Sequence, residues 1–552
     1  MPKPSLPSIL RRRPLIAALS AIVAVVSLSA LPSAASASHS QLSMIQDYSA
    51  LNPDPSAADQ TLVQFRTLGA NAIRVIVPWA TIAPDPSKTK KPSFNATDPN
   101  AYSASAWAPF DNLVREAHTL GLKVDLTVTG GAPRWAESGN PARPVAENIL
   151  DLAWKPKAAD YGQFMRAVGT RYDGHFTPKG SSSALPAVRF WAIFNEPNFG
   201  EDLGPQALGG SKVAYAPMLY RSLVNSGWSA LKATGHGHDT ILIGETAARG
   251  LQGGRYPGNY SQTKPLIFIR DLYCLSSSYK QLRGKAAKGI GCPTNAAGSR
   301  RFRSQNPGLF NASGFGDHPY PGNGSPVTDG KSDPNYAAFP DLGRLEQSLD
   351  HVNRVYGSRK HYSIYNDEYG YITDPPNKTR VPTGGHYVSP ALASYYINWA
   401  EYLSWKSSRI ASYMQYLIKD PPLGAGTFAG FTSGIETSTG QEKADYAAYR
   451  LPLYMPKLSF SHTTNAEVWG DVRPAPFMQS DGHGPQSVAI QFNGTTVQTV
   501  KPGAGGYFDV HMKFAQSGTV RLAYTYPASD PFLTPGVAGT TVYSRDVAIK
   551  VH

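Results

Sequence analysis

The chain has 552 residues with 41% hydrophobic, 11% aromatic and only 16% charged side chains, together with 51 Gly and 46 Pro. That excludes a small single-core module and a disordered chain; it fits a barrel-sized unit of about 250 to 400 residues plus an accessory domain. The formal net charge is +13, falling to +9 without Lys3, Arg11, Arg12 and Arg13; the remaining Lys and Arg are scattered without an aromatic-interleaved basic motif, so no nucleic-acid partner is expected.

At the N-terminus Arg11-Arg12-Arg13 precedes the apolar run Leu15 to Leu31, and Ala35-Ser36-Ala37 supplies small residues for cleavage. Residues 1–37 therefore read as a signal peptide, of either the general secretory or the twin-arginine type. The expected location is extracellular, with no membrane association after cleavage. Cys274 and Cys292 are the two cysteines, and in an exported chain they are expected to form a disulfide, since neither sits in a Cys-x-x-Cys or Cys/His cluster.

Met44 to Tyr48 reads as a first strand and Ala57 to Leu68 as an amphipathic helix. Ala72 to Trp79 is a β-branched run carrying one charge, Arg74, and a lone Arg in a buried strand requires a partner. A helix over Trp107 to Leu120 leads to the strand Lys123 to Thr129. Trp79 and Trp135 fall just past strand ends, where they either stack on a ligand or pack within loops. A helix over Tyr161 to Tyr172 precedes Trp191-Ala192-Ile193-Phe194-Asn195-Glu196-Pro197-Asn198, an apolar run breaking into an amide and a carboxylate, as a strand does where it ends in a polar cleft. Next come a helix over Ala214 to Ala233 and the strand Thr240 to Thr246, whose Glu245 is a competing carboxylate. Tyr256 to Ser313 reads as an extended insertion beside the cleft, and Phe315 to Pro321 as the end of a sixth strand. A helix over Leu342 to Tyr356, the strand Tyr362 to Glu368, a helix over Ser389 to Ser407, a strand over Ile410 to Tyr416 and a closing segment to Pro452 complete an alternating β/α pattern. From about Leu458 the texture becomes short alternating runs divided by Gly, Asn and Pro, which describes a β-sandwich. The division is thus 38–457 for a (β/α)8 barrel and 458–552 for a sandwich, which either binds carbohydrate or, by preference, packs on the barrel for stability.

Asn195-Glu196-Pro197 resembles the acid/base strand of clan A retaining glycoside hydrolases, in which Asn-Glu-Pro closes the fourth strand of a (β/α)8 barrel. The resemblance implies a second Glu on the seventh strand, and Glu368, 172 residues further on, meets it. It further implies that Glu196 protonates the leaving oxygen, that Glu368 is the nucleophile held by Arg74, and that Asn195 contacts the sugar 2-hydroxyl. His318 and Tyr320 match a pair near the nucleophile and the first sugar. Asn198 leans toward the family 39 xylosidases and iduronidases, while the rest looks as much like the cellulase-type family 5. Many clan A enzymes carry a Trp at the end of strand eight; Gln415 and Tyr416 stand here, leaving Tyr416 as the substrate-contact candidate. Asp367 adjoins Glu368, and strand alternation would allow one of the two to face inward.

The implied function is a secreted retaining glycoside hydrolase cleaving β-linked oligo- or polysaccharides. The alternatives are a transglycosylase and a catalytically silent carbohydrate-binding protein on the same scaffold. No cofactor or metal is implied: there is no Gly-x-Ser-x-Gly elbow, no His-Glu-x-x-His helix and no phosphate-cradling loop. A monomer is expected.

Overall fold

A computed structural model of the chain describes residues 40–47, 51, 55–138, 153–207, 214–250, 262–328, 333–375, 386–422 and 430–552; the expected signal peptide lies outside them. Eight strands, β1 (Leu42–Gln46), β2 (Ala72–Pro78), β3 (Lys123–Thr129), β4 (Phe190–Ile193), β5 (Thr240–Ala247), β6 (Gly314–His318), β7 (Ser363–Asn366) and β8 (Ile410–Tyr416), close into a barrel. Every strand pairs in parallel with its neighbours in sequence, and β1 pairs with β8 to close the circle. Parallel strands demand crossovers, and the helices Pro55–Leu68, Ala104–Thr119, Ala158–Arg171, Ala216–Ala233, Leu342–Val355 and Pro390–Trp405 supply them. This is the (β/α)8 barrel expected, with all strand C-termini opening on one face.

Two local features shape that face. The β5–β6 register slips between Gly244 and Thr246, so Glu245 is the bulged residue, with φ +49°. A bulge re-aims a side chain, and here it turns Glu245 into the barrel, where it is fully buried. At the end of β4, Phe194 and Glu196 adopt φ of +73° and +34°, backbone that non-glycine residues hold only where surrounding structure over-determines it.

The expected insertion at Tyr256 to Ser313 is corrected. Residues 251–261 lie outside the described set, but Pro265–Leu272, Gly284–Gly289, Ala296–Gln305 and Pro307–Asn311 are helices, and they fill the β5-to-β6 crossover. Gly308 lies against Val224 and Trp228 of the Ala216–Ala233 helix, and Arg221 of that helix donates to the carbonyls of Asp271, Leu272 and Gly291. Short helices broken by Gly and Pro lack the sustained 3.6-residue period that sequence reading depends on. Cys274 and Cys292 form a disulfide here, Cα atoms 5.6 Å apart.

The C-terminal region forms a three-stranded antiparallel sheet, Leu453–Tyr454, Ala466–Asp471 and Tyr507–Met512, and a larger sheet of Ser459–Phe460, Val547–Val551, Gly518–Thr525, Val488–Phe492 and Thr495–Val500, with Thr541–Tyr543 joined to Gly518–Thr525. The first of these strands precedes Leu458, so sheet pairing begins within the closing segment of the barrel. Its junction with the barrel is fixed by Arg473, whose side chain is 1% exposed. Its Nη2 donates to Glu401 Oε2 at 2.7 Å, its Nε to the Tyr449 carbonyl at 2.7 Å, and its Nη1 to Ser43 Oγ of β1.

Candidate active site

The organising side chain is Arg74 on β2, fully buried at the barrel axis. All five of its N–H groups are used. Nε donates to Thr127 Oγ1 at 3.1 Å, Nη1 to Gln46 Oε1 at 2.7 Å and Glu368 Oε2 at 2.9 Å, and Nη2 to Asn195 Oδ1 at 2.7 Å and Glu245 Oε2 at 2.8 Å. One planar fork thereby sets the positions of residues from β1, β3, β4, β5 and β7. Burial works against its charge, but Glu245, Glu368, Asp367 and Asp125 together hold the proton on Arg74 more tightly still.

Glu368, just past β7, accepts from Arg74 and, through Oε1, from the Tyr320 hydroxyl at 2.9 Å. Glu196, just past β4, shares its Oε1 with His318 Nδ1 at 2.8 Å. The same nitrogen is 3.5 Å from Glu368 Oε2. One oxygen of each Glu and the ring nitrogen all lie within 4.8 Å of one another, so the carboxyls face each other across a single imidazole. Their side chains are 16% and 14% exposed, against 0% for His318; the pair meets solvent while the histidine forms the floor. Burial disfavours a charged imidazole, but Glu368, Glu196 and Glu245 outweigh it and keep His318 protonated well above the usual histidine range.

Asn195 is held at both ends. Its Oδ1 accepts from Arg74 and its Nδ2 donates to Asp202 Oδ1 at 3.0 Å, which fixes the amide orientation and leaves one Nδ2 hydrogen to point elsewhere. Asn198 is fully buried; it clips the β4 loop to β5 through Ala247, donating to its carbonyl at 3.0 Å and accepting from its N–H at 2.8 Å. Tyr416 stands at the rim with Tyr320 and Phe431, ring centroids 6.3 and 5.3 Å away and both edge-on. Gln415 is turned away, bonded to the carbonyls of Leu417 and Ser433.

Three expectations are corrected. Trp79 and Trp135 offer no open faces for sugar stacking: they are 1% and 2% exposed, pack edge to face with each other at 6.1 Å, and Trp79 stacks on Phe164. Glu245 does not compete at the cleft; it lies beneath it, and the Arg74 and His318 charges overcome its burial to hold it down at about 2. Asp367 is not turned outward by alternation, because β7 ends at Asn366; it is fully buried, with an oxygen 3.7 Å from His318 Nε2. Burial first, then the Glu245 charge, raises Asp367 well above the usual carboxylate range. Sequence reading missed Gln46, Asp202 and Phe431. Gln46 carried a signal, since it ends a strand on the face where all eight open; Asp202 and Phe431 reach the site on loops.

Among the described residues no helix is long and apolar enough to cross a membrane. No family model and no curated protein matches the chain. Solved structures to which it is similar include a β-glucuronidase from Bacteroides uniformis (10% identity, 93% of this chain and 46% of that chain, TM-score 0.38) and the endo-β-1,4-mannanase from Thermotoga petrophila (11%, 93% and 98%, 0.40). A third is the exo-β-1,4-mannosidase Op5Man5 from Opitutaceae bacterium strain TAV5 (15%, 74% and 58%, 0.38). The chain spans 45% to 48% of the length of the first β-glucuronidase chains it matches. At TM-scores of this size none of these likenesses bears on what the site does. The fold itself, a closed parallel (β/α)8 barrel followed by antiparallel sheets, is the one the Asn195-Glu196-Pro197 resemblance implies.

Proposed function

We propose that this chain is a secreted glycoside hydrolase that cleaves β-linked oligo- or polysaccharides by double displacement, with Glu196 as acid/base and Glu368 as nucleophile. The observation that carries the reading is the closeness of the pair: one oxygen of Glu196 and one of Glu368 lie within 4.8 Å of each other, which fits the roughly 5 to 5.5 Å carboxyl separation of retaining enzymes.

The chemistry follows from the hydrogen bonds. In the first step Glu368 attacks the anomeric carbon while Glu196 delivers a proton to the departing glycosidic oxygen. One oxygen of Glu196 is engaged by His318 Nδ1, so the transferred proton rides on the other. As the glycosyl ester forms, Glu368 loses its negative charge; Arg74 and Tyr320 stay with its two oxygens and keep the ester oriented. In the second step Glu196, now the base, draws a proton from water, which attacks the anomeric carbon and releases Glu368. Asn195, locked by Arg74 and Asp202, presents its remaining N–H toward the sugar. The Tyr320, Tyr416 and Phe431 rings form the apolar wall of the first subsite.

The test is sugar release from β-glucans, xylans, mannans, galactans and arabinans by the mature protein, beside Glu196→Gln and Glu368→Gln. Loss of activity in both variants, with the product anomer matching the substrate by NMR, supports the reading. Inversion of the anomer would sink double displacement, and a folded wild type silent on every glycan would leave a carbohydrate-binding scaffold.

A further inference from the structure

Beneath the catalytic pair lies a second group, Glu245, His318 and Asp367, each fully buried, of which the proposed chemistry uses only His318 Nδ1. One ligand atom from each lies within 4.8 Å of the other two. Glu245 Oε1, both oxygens of Asp367 and His318 Nε2 have no hydrogen-bond partner outside this group, and neither oxygen of the neighbouring buried Asp125 has a partner. Buried carboxyl groups with no partner outside their own cluster are unfavourable and call for an explanation. Arg74 cannot relieve them, because its five donors are already spent on other acceptors.

The separations have a specific meaning. His318 Nε2 is 3.6 Å from Glu245 Oε2, the oxygen that also accepts from Arg74, and 3.7 Å from Asp367 Oδ1, too long for hydrogen bonds. Two ligands each about 2.1 Å from a tetrahedral ion stand about 3.4 Å apart, close to what is seen. The other ring nitrogen of His318 bonds a carboxylate, Glu196, which is the arrangement that orients metal-bound histidines. Gly316 makes the convergence possible, since a Cβ there would overlap Glu245 Oε1 and Asp367 Oδ2.

The geometry points to an internal metal site in the barrel, in which Glu245, His318 Nε2 and Asp367 bind one divalent transition-metal ion of the zinc or manganese class. Mixed imidazole and carboxylate donors select that class over calcium or magnesium. The ion takes the place of the proton on His318 Nε2, neutralises the enclosed carboxyl oxygens and fixes the ring of His318, so that Nδ1–H is presented to Glu196. The site thus acts on the catalytic carboxyl through a positioning residue, while its existence is independent of the hydrolase reading.

The experiment counts metal. The full chain is produced in medium supplemented with zinc or with manganese, washed with chelator and analysed by mass spectrometry for metal per protein. About one equivalent of a single transition metal is expected to survive the wash. Asp367→Asn, which keeps the side-chain shape, and Gly316→Ala, which fills the space between the carboxylates, are each expected to lower the content at least tenfold while the circular dichroism stays native. X-ray absorption on the wild type should show a light-atom shell at about 2.0 to 2.2 Å that includes one imidazole. A folded wild type holding less than a tenth of an equivalent under both supplements overturns the proposal, as does a wild-type metal content that Asp367→Asn leaves intact. If glycan hydrolysis fails but the metal count holds, only the proposed reaction is wrong.

Discussion

Replacing Arg74 by Met keeps most of the side-chain volume and removes the charge and all five donors. Glu245, Glu368, Asn195, Gln46 and Thr127 then lose their shared partner, and Glu245, with no exposure, is left as a buried charge facing Asp367. Removing one member of a buried ion pair costs about 3 to 5 kcal/mol. For a cooperative unit of this size each kcal/mol lowers the melting temperature by about 1 to 2 °C, so a fall of about 3 to 10 °C is expected in differential scanning calorimetry. Arg74→Lys restores the charge but offers three donors from one atom in place of a planar five-donor fork, and is expected to fall between Met and wild type. The double variant Arg74→Met/Glu245→Leu removes the stranded charge as well and should regain at least 1 kcal/mol over Arg74→Met, since an apolar replacement of a whole buried pair is often neutral or better. An Arg74→Met melting temperature within 1 °C of wild type would refute the view of Arg74 as the hub of the barrel mouth.

Tyr320→Phe removes one hydrogen bond to a charged acceptor, Glu368 Oε1, and keeps the ring against Tyr416 and Phe431; kcat/KM on the identified glycan should fall about 10- to 100-fold with little change in melting temperature. Arg473→Ala strands Glu401 at the junction of barrel and C-terminal sheets and is expected to cost about 3 to 5 kcal/mol in denaturant unfolding, with the loss vanishing if the sheets do not in fact brace the barrel. Reducing the Cys274–Cys292 bond, which closes a loop of sequence separation 18, should cost about 3 kcal/mol on the chain-entropy account, read as a lower melting temperature in reductant. Asp445 is buried, and that burial, opposed in part by Lys443, raises its carboxyl from 3.8 to about 7. The native state therefore holds this proton more tightly than the unfolded chain. Its contribution is full below about pH 4, declines as the pH rises and is gone above about 7. Asp445→Asn should remove that decline from a stability-versus-pH series; an unchanged slope between pH 4 and 7 would assign it to other groups.

Much of the barrel was legible because its signals are local. The β-branched runs at Ala72 to Pro78 and Ile410 to Tyr416 and the apolar periodicity of Leu342 to Val355 depend on a few neighbouring residues, and the observed elements match the expected ones to within a few positions. Glu196 and Glu368 were read from the resemblance that Asn195-Glu196-Pro197 carries, and both side chains lie at the strand ends where the barrel opens. The burial of Trp79 and Trp135 was not, because an aromatic residue past a strand end faces either a ligand or another loop, and Phe164, 85 residues from Trp79 in the chain, decided it. Nor could alternation place Asp367 and Glu245, since it holds only within a regular strand; β7 stops one residue before Asp367, and a bulge against β6 turns Glu245 inward. The sequence by itself determined which segments become strands and helices and which two carboxylates head the cleft. Tertiary structure alone decided that one arginine serves five strands at once and that three further acidic side chains are enclosed around it, because register, bulges and barrel closure are set by partners hundreds of residues away.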